Sequence, residues 1–136
     1  METLYAGPAE KIVELQELRD VLRQFVAERG WQKFHTPKNL AAALSVEASE
    51  LLEPFQWLDS GEKVELSSDQ LTAISHEMAD VLAYLVLLAD RLEIDLHKAA
   101  LEKIEINRKK YPAEKVFGKS KKYSVDVHAE LTHLRL

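Results

Sequence analysis

Glu47 and Glu50 stand three residues apart in LSVEASELLEPFQW (residues 44–57), and Glu77 and Asp80 repeat that spacing in ISHEMADVLAYLVLLA (residues 74–89). Residues three apart share one face of a helix, so each pair presents two carboxylates together. Their surroundings are apolar: Leu44, Val46, Ala48, Leu51 and Leu52 flank the first pair. An ionised carboxylate withdrawn from water without a partner is strongly disfavoured, and four brought together would also repel one another. A divalent cation answers both problems. With oxygen ligands only and no cysteine in the chain, the ion expected is Mg²⁺, with Mn²⁺ as its substitute. Mg²⁺ keeps waters and takes further ligands from substrate phosphates, so the pattern points to phosphate chemistry.

The acidic residues have other readings. A single E-x-x-E on a helix usually marks a solvated face; two such pairs on apolar helices leave that reading and a metal site equally open. A di-iron bundle would need a Glu-x-x-His pair on each of two helices. Here Glu50 and Asp80 occupy the places of those histidines, and His76, beside Glu77, would point elsewhere.

The elements that must position these groups read as helical nearly throughout. A first helix is expected from about Ala9 to Arg29, with Leu15, Leu18, Leu22 and Phe25 as its apolar stripe and Gly30 as its stop. After the short loop WQKFH, Thr36 and Pro37 read as N-cap and first helical position. The second helix should end near Glu53, because Pro54 disfavours continuation. Ser67 and Gln70 form a capping-box pattern for a third helix, about Ser68 to Leu92. Its middle is apolar on all sides, which predicts a helix at the centre of a bundle. Asp95 can cap a fourth helix that ends before Pro112. The expected architecture is an all-α, four-helix bundle forming a single domain over residues 1–136, with a core of about 9–112 and a tail of 113–136. Within the tail, SVDVHAEL alternates briefly and suggests a short strand or extended arm.

Composition narrows the function classes. The 136 residues are 46% hydrophobic and 30% charged, with only 4 Gly and 4 Pro, as expected of a folded globular domain. A net charge of −5 argues against a binder of long nucleic acid, which needs a basic face. The N-terminus lacks a basic region followed by an apolar one, and the longest apolar run, Val81 to Ala89, is short for a bilayer. A cytoplasmic protein with no membrane partner is the expectation.

The acidic pairs, separated by 26 intervening residues, resemble the signature of the MazG-like superfamily of all-α nucleoside triphosphate pyrophosphohydrolases. The flanking FHTPKNLAAALSVEASELLEPFQW, EMADVLAYLVLLADRLEIDL, EKIEINRKKYP and SKKY are similar to its dCTP pyrophosphatase branch, over roughly residues 9 to 123. The resemblance implies cleavage between the α- and β-phosphates of a nucleoside triphosphate, giving a monophosphate and pyrophosphate. It implies Mg²⁺ held by Glu47, Glu50, Glu77 and Asp80, and assembly as a homotetramer, a dimer of dimers. It implies a base and sugar pocket at Trp31, His35, Trp57 and Tyr84, a substrate contact at Asn107, and phosphate contacts at Lys103 and Arg108.

Physical chemistry agrees in part. A planar base needs aromatic faces to stack on, and Tyr84, one turn after Asp80, faces the side of the acidic pair. By spacing alone, Trp31 reads as a plug of the bundle end and Trp57 as a satellite core residue, and the NRKK run reads as a solvated helix end. Glu47 or Glu50 is the expected base toward the attacking water, and sequence does not choose between them. Two alternatives stand beside the dCTP reading: a broad or unusual-nucleotide pyrophosphatase on the same fold, and a non-catalytic metal- or nucleotide-binding partner protein.

Overall fold

A computed structural model describes residues 8–119, and every regular element among them is helical. Helix α1 spans Pro8–Glu28, α2 Pro37–Leu52, α3 Ser68–Arg91, α4 Leu96–Lys110 and the short α5 Ala113–Val116. Three 3-10 turns, Gln32–Phe34, Glu53–Phe55 and Lys63–Glu65, lie in the connections. The all-α expectation holds, and the helix limits fall within a residue or two of those expected. The alternating stretch 124–131 lies outside the described residues.

Local chemistry sets the limits. Thr36 Oγ1 accepts from the N–H of Asn39 at 3.2 Å, with Pro37 opening α2. At α3 the capping box closes both ways: the Gln70 N–H donates to Ser67 Oγ at 3.1 Å, and the Ser67 N–H donates to Gln70 Oε1 at 2.8 Å. Helix α1 ends in a Schellman motif. Gly30 takes φ +63°, its N–H donates to Ala27 O at 3.1 Å, and the Trp31 N–H donates to Val26 O at 3.1 Å. Helix α3 ends similarly, with the Ile94 N–H donating to Ala89 O at 2.8 Å across Glu93 at φ +57°. No glycine marks that stop, so its geometry has no local signature among the residues.

The chain divides into two units, residues 1–97 and 98–136. In the first, α2 packs most extensively on α3, and α1 packs on α3 to a lesser extent. Val26, Leu40, Ile74, Val86 and Ala89 are the buried core. Arg23 Nε donates to Asp90 Oδ2 at 2.7 Å and Nη2 donates to Oδ1, a two-pronged pair that ties α1 to α3. The second unit holds most of α4, none of whose side chains is fully buried, followed by α5.

One expectation is corrected. Helices α2 and α3 are not buried on all sides: Val46 and Met78 are each 56% exposed, and Leu52, Leu82 and Leu85 also face outward. Two neighbours, α1 and α2, cover only part of the circumference of α3 within this unit. Phe25 likewise leaves the core stripe of α1 and is exposed, while Val26 turns inward. At 24 residues α3 is long and apolar enough, by length and composition alone, to cross a membrane, a test that the core helices of soluble proteins also pass. Glu77 and Asp80 lie near its middle, where a bilayer would penalise each charge by several kcal/mol, about 2.5–3.5 on insertion scales.

Candidate active site

Helix α2 supplies Glu47 and Glu50, and α3 supplies Glu77 and Asp80. Because α2 and α3 pack together, the two E-x-x-acid faces meet. Carboxylate oxygens of Glu47, Glu77 and Asp80 all lie within 4.8 Å of one another. Glu47 and Glu77 are half-buried, and each has one oxygen, Oε2, shielded from solvent with no hydrogen-bond partner. A hydrogen bond with the Glu50 side chain is the largest cause of the shift in the Glu47 carboxyl; burial and the charges of Glu50, Asp80 and Glu77 add to it, pushing the group up to about 7. Burial raises Glu77 above the usual carboxylate range, aided by the charges of Glu50, Asp80 and Glu53 and by a hydrogen bond to Glu50. Orphaned buried carboxylate oxygens, with no Lys or Arg among the causes of either shift, are what a divalent cation with oxygen ligands would satisfy. Glu47, Glu77 and Asp80 stand close enough together to hold a divalent cation, with Glu50 beside them.

The aromatic candidates divide by position. Trp31 follows the α1 cap directly. Its ring meets Phe25 edge-on, with centroids 5.8 Å apart and planes at 76°, and tilts against His35 at 6.4 Å. His35 also lines a cavity of about 260 Å³ with Val26, Gln32, Leu40 and Leu87. The turn that carries both is latched to α2 by Asn39 Nδ2, which donates to Phe34 O at 2.8 Å. Trp57 stands in the connection between α2 and α3 and is 88% exposed. Tyr84 is half-buried on α3, one turn beyond Asp80. Lys103, Asn107 and Arg108 all lie on α4, in the second unit, where Arg108 is paired with Glu105.

The chain is similar to known proteins over most of its length. The MazG-like family model matches residues 42–125. Human dCTP pyrophosphatase 1 is 42% identical over 120 residues, covering 87% of this chain and 71% of that protein. Its rat counterpart is 39% identical over 112 residues, and the chain spans 66% of that relative's length. A solved pyrophosphatase from Archaeoglobus fulgidus is 42% identical, with a TM-score of 0.68 over 82% of this chain and 99% of that one. The chain belongs to the MazG-like family.

The segment matched by the MazG-like model contains all four acidic residues, Trp57, Tyr84 and the α4 candidates, whereas Trp31 and His35 precede it. Several residues around this MazG-like site escaped the sequence reading. Glu53 adds its charge to the field at Glu77, and its spacing of three from Glu50 was a usable signal. Glu65 orders the connection that bears Trp57. Its carboxylate accepts from the Asp59 N–H at 3.1 Å, the Ser60 N–H at 3.0 Å and Ser60 Oγ at 2.6 Å, which hold it below the usual range. Nothing in the sequence distinguishes Glu65 from other surface glutamates.

Proposed function

We propose that this chain is a pyrophosphohydrolase acting on dCTP or a 5-modified dCTP, releasing the monophosphate and pyrophosphate. The observation that carries the reading is the set of three carboxylates, Glu47, Glu77 and Asp80, converging from α2 and α3 with Glu50 alongside; two of them have a buried oxygen without a hydrogen-bond partner. The relatives named above supply the choice of nucleotide. Glu47, Glu50, Glu77 and Asp80 would hold Mg²⁺. Bound there, the ion would supply charge neutralisation to the phosphates and polarisation of a phosphoryl oxygen.

The chain's own residues do the rest. The carboxylate cluster would meet the phosphate end of the substrate only through the cation it would hold, and phosphoryl-transfer catalysis is mostly positioning and electrostatics. Glu47 and Glu50, which share one face of α2, are the candidates to take a proton from the attacking water. One of the two is assigned the base role, and activity of Glu47→Gln and Glu50→Gln distinguishes them. Trp31 provides a face for the base, with His35 beside it, while Trp57 and Tyr84 close the pocket. From the family resemblance, Asn107 is assigned a substrate contact and Lys103 and Arg108 phosphate contacts.

The assembly proposed is a cytoplasmic homotetramer, a dimer of dimers. Its support is the apolar surface left open on α2 and α3, where Val46, Leu52, Met78 and Leu82 are all exposed. Light scattering should give a tetramer mass at micromolar concentration, and a monomer mass would refute it.

The test of function is pyrophosphate release with Mg²⁺ across dCTP, 5-methyl-dCTP, dUTP, dTTP, dATP and the ribonucleotides, with Glu47→Gln as control. Preference for dCTP or its 5-modified forms, lost in the control, supports the reading. Broad activity keeps the reaction and overturns the nucleotide choice. Absence of turnover on the whole panel, in a folded sample that binds Mg²⁺, overturns the enzyme reading.

A further inference from the structure

We infer that Phe25 is a positioning residue for nucleotide binding, acting through Trp31. The inference rests on the reading of Trp31 as a wall of the base pocket. Three features of the α1 terminus carry it. The Schellman motif fixes the Trp31 backbone, since its N–H is bonded to the carbonyl of Val26, a core residue 5% exposed. In this motif the residue after the glycine makes an apolar contact with the last turn of the helix. Here that contact is the edge-on pairing of Trp31 with Phe25. The third feature is Arg29. Its guanidinium lies 3.7 Å from the Phe25 ring centroid, and its Nη1 donates to Phe25 O at 3.0 Å. The Phe25 ring is thus held between a cation on its face and the indole.

Phe25 is 43% exposed, so core packing does not account for an aromatic ring at this position. Trp31 is itself 41% exposed, and an indole so open to solvent would sample several rotamers unless something held it. Edge-to-face contact supplies that directional restraint, which an aliphatic side chain cannot reproduce. A stacking platform held in one orientation loses less freedom when a base docks. The consequence is specific. Removing the Phe25 ring weakens nucleotide binding while the phosphate chemistry on α2 and α3 continues.

The test is a double-mutant cycle on the full chain, with pyrophosphate release from dCTP in the presence of Mg²⁺ as the assay. Phe25→Ala and Phe25→Leu should raise KM roughly five- to tenfold with kcat within about twofold, and Phe25→Tyr should restore KM. In a Trp31→Ala background, Phe25→Ala should change KM no further. In a Trp57→Phe background Trp31 is the sole tryptophan, and its emission should show a less fixed environment once Phe25 becomes Leu. If Trp31→Ala raises KM but neither Phe25 variant does, the positioning role is overturned and the base-wall reading stands. If Trp31→Ala leaves KM unchanged, the base-wall reading fails and takes this inference with it. If Phe25→Ala raises KM equally in both backgrounds, Phe25 acts independently of Trp31 and the inference is wrong. Phe25→Leu keeps an apolar side chain against the cap, so the comparison survives even if the alanine variant folds poorly.

Discussion

Glu47 on α2 and Glu77 on α3 bring carboxylate oxygens within 4.8 Å of each other, and each keeps an oxygen out of water that no donor meets. Two helices from different parts of the chain therefore converge on an arrangement that is unfavourable by itself. Nothing in the packing requires it, since an apolar pair would fill the same space at lower cost. Proton uptake is the cluster's only relief in the bare protein, and a cation offers a better one.

The first prediction concerns pH. The Glu47 carboxyl moves from an ordinary 4.5 to about 7 in the folded chain. Between those values the folded state holds a proton that the unfolded state has lost. The stability linked to this group is thus fully present below 4.5 and is lost as pH rises through about 7. Mg²⁺ competes for the same oxygens, so it binds more tightly as the proton leaves. Thermal melts should show a larger Mg²⁺-induced rise in Tm at about pH 8 than at about pH 6. Equal increments at the two values would contradict the site.

Neutralising one member of the cluster should separate stability from activity. Glu77→Gln removes a like charge from Glu47 and an orphaned carboxylate from the α2–α3 contact. The metal-free variant should melt higher than the parent chain, as expected where a functional site carries strain. Its Mg²⁺-dependent turnover should fall by roughly 10²-fold or more, and the Mg²⁺-induced rise in Tm should shrink. A variant that melts lower and loses activity would mark Glu77 as a structural residue instead.

The Arg23–Asp90 pair gives the opposite pH dependence. Hydrogen bonding to Arg23 holds the Asp90 carboxyl below its ordinary 3.8. A depressed value contributes stability above 3.8 that is lost as pH falls through the folded value. Asp90→Asn should lower Tm by a few degrees near neutral pH, and the two proteins should converge in acid. Because Arg23 is half-exposed, the difference should also shrink in high salt. A gap unchanged by acid and salt would assign the loss to packing.

Much of this fold was readable because its signals are local. Thr36-Pro37, Ser67 with Gln70, and Gly30 each encode a helix end within four residues, and the structure places the ends there. The acidic pairs were readable for a related reason: apolar neighbours made their charge conspicuous. What stayed hidden depends on the path of the chain in space. The turning of Phe25 from the apolar stripe to the Trp31 ring follows from a cap geometry, not from periodicity. Arg23 and Asp90 are 67 positions apart, and no spacing rule joins them. The exposure of Met78 and Leu82 was masked because an apolar surface reads alike whether it is covered by its own chain or left open.

The connection between α2 and α3 offers the last prediction, at Gly61. This residue takes φ +72°, and a Cβ there would lie 2.7 Å from Phe55 Cδ1. Both the backbone conformation and the space exclude a side chain. Gly61→Ala should therefore destabilise the protein by about 1–3 kcal/mol. The strain falls between the Glu53–Phe55 turn and the Ser60–Glu65 knot that flank Trp57. Trp57 has little packing to hold it, being almost wholly exposed, so its position depends on the backbone of this connection. If Trp57 closes the base pocket, Gly61→Ala should raise the nucleotide KM while leaving the Mg²⁺-induced rise in Tm intact, because α2 and α3 are undisturbed. Equal losses in both measurements would show that the connection supports the acidic cluster itself.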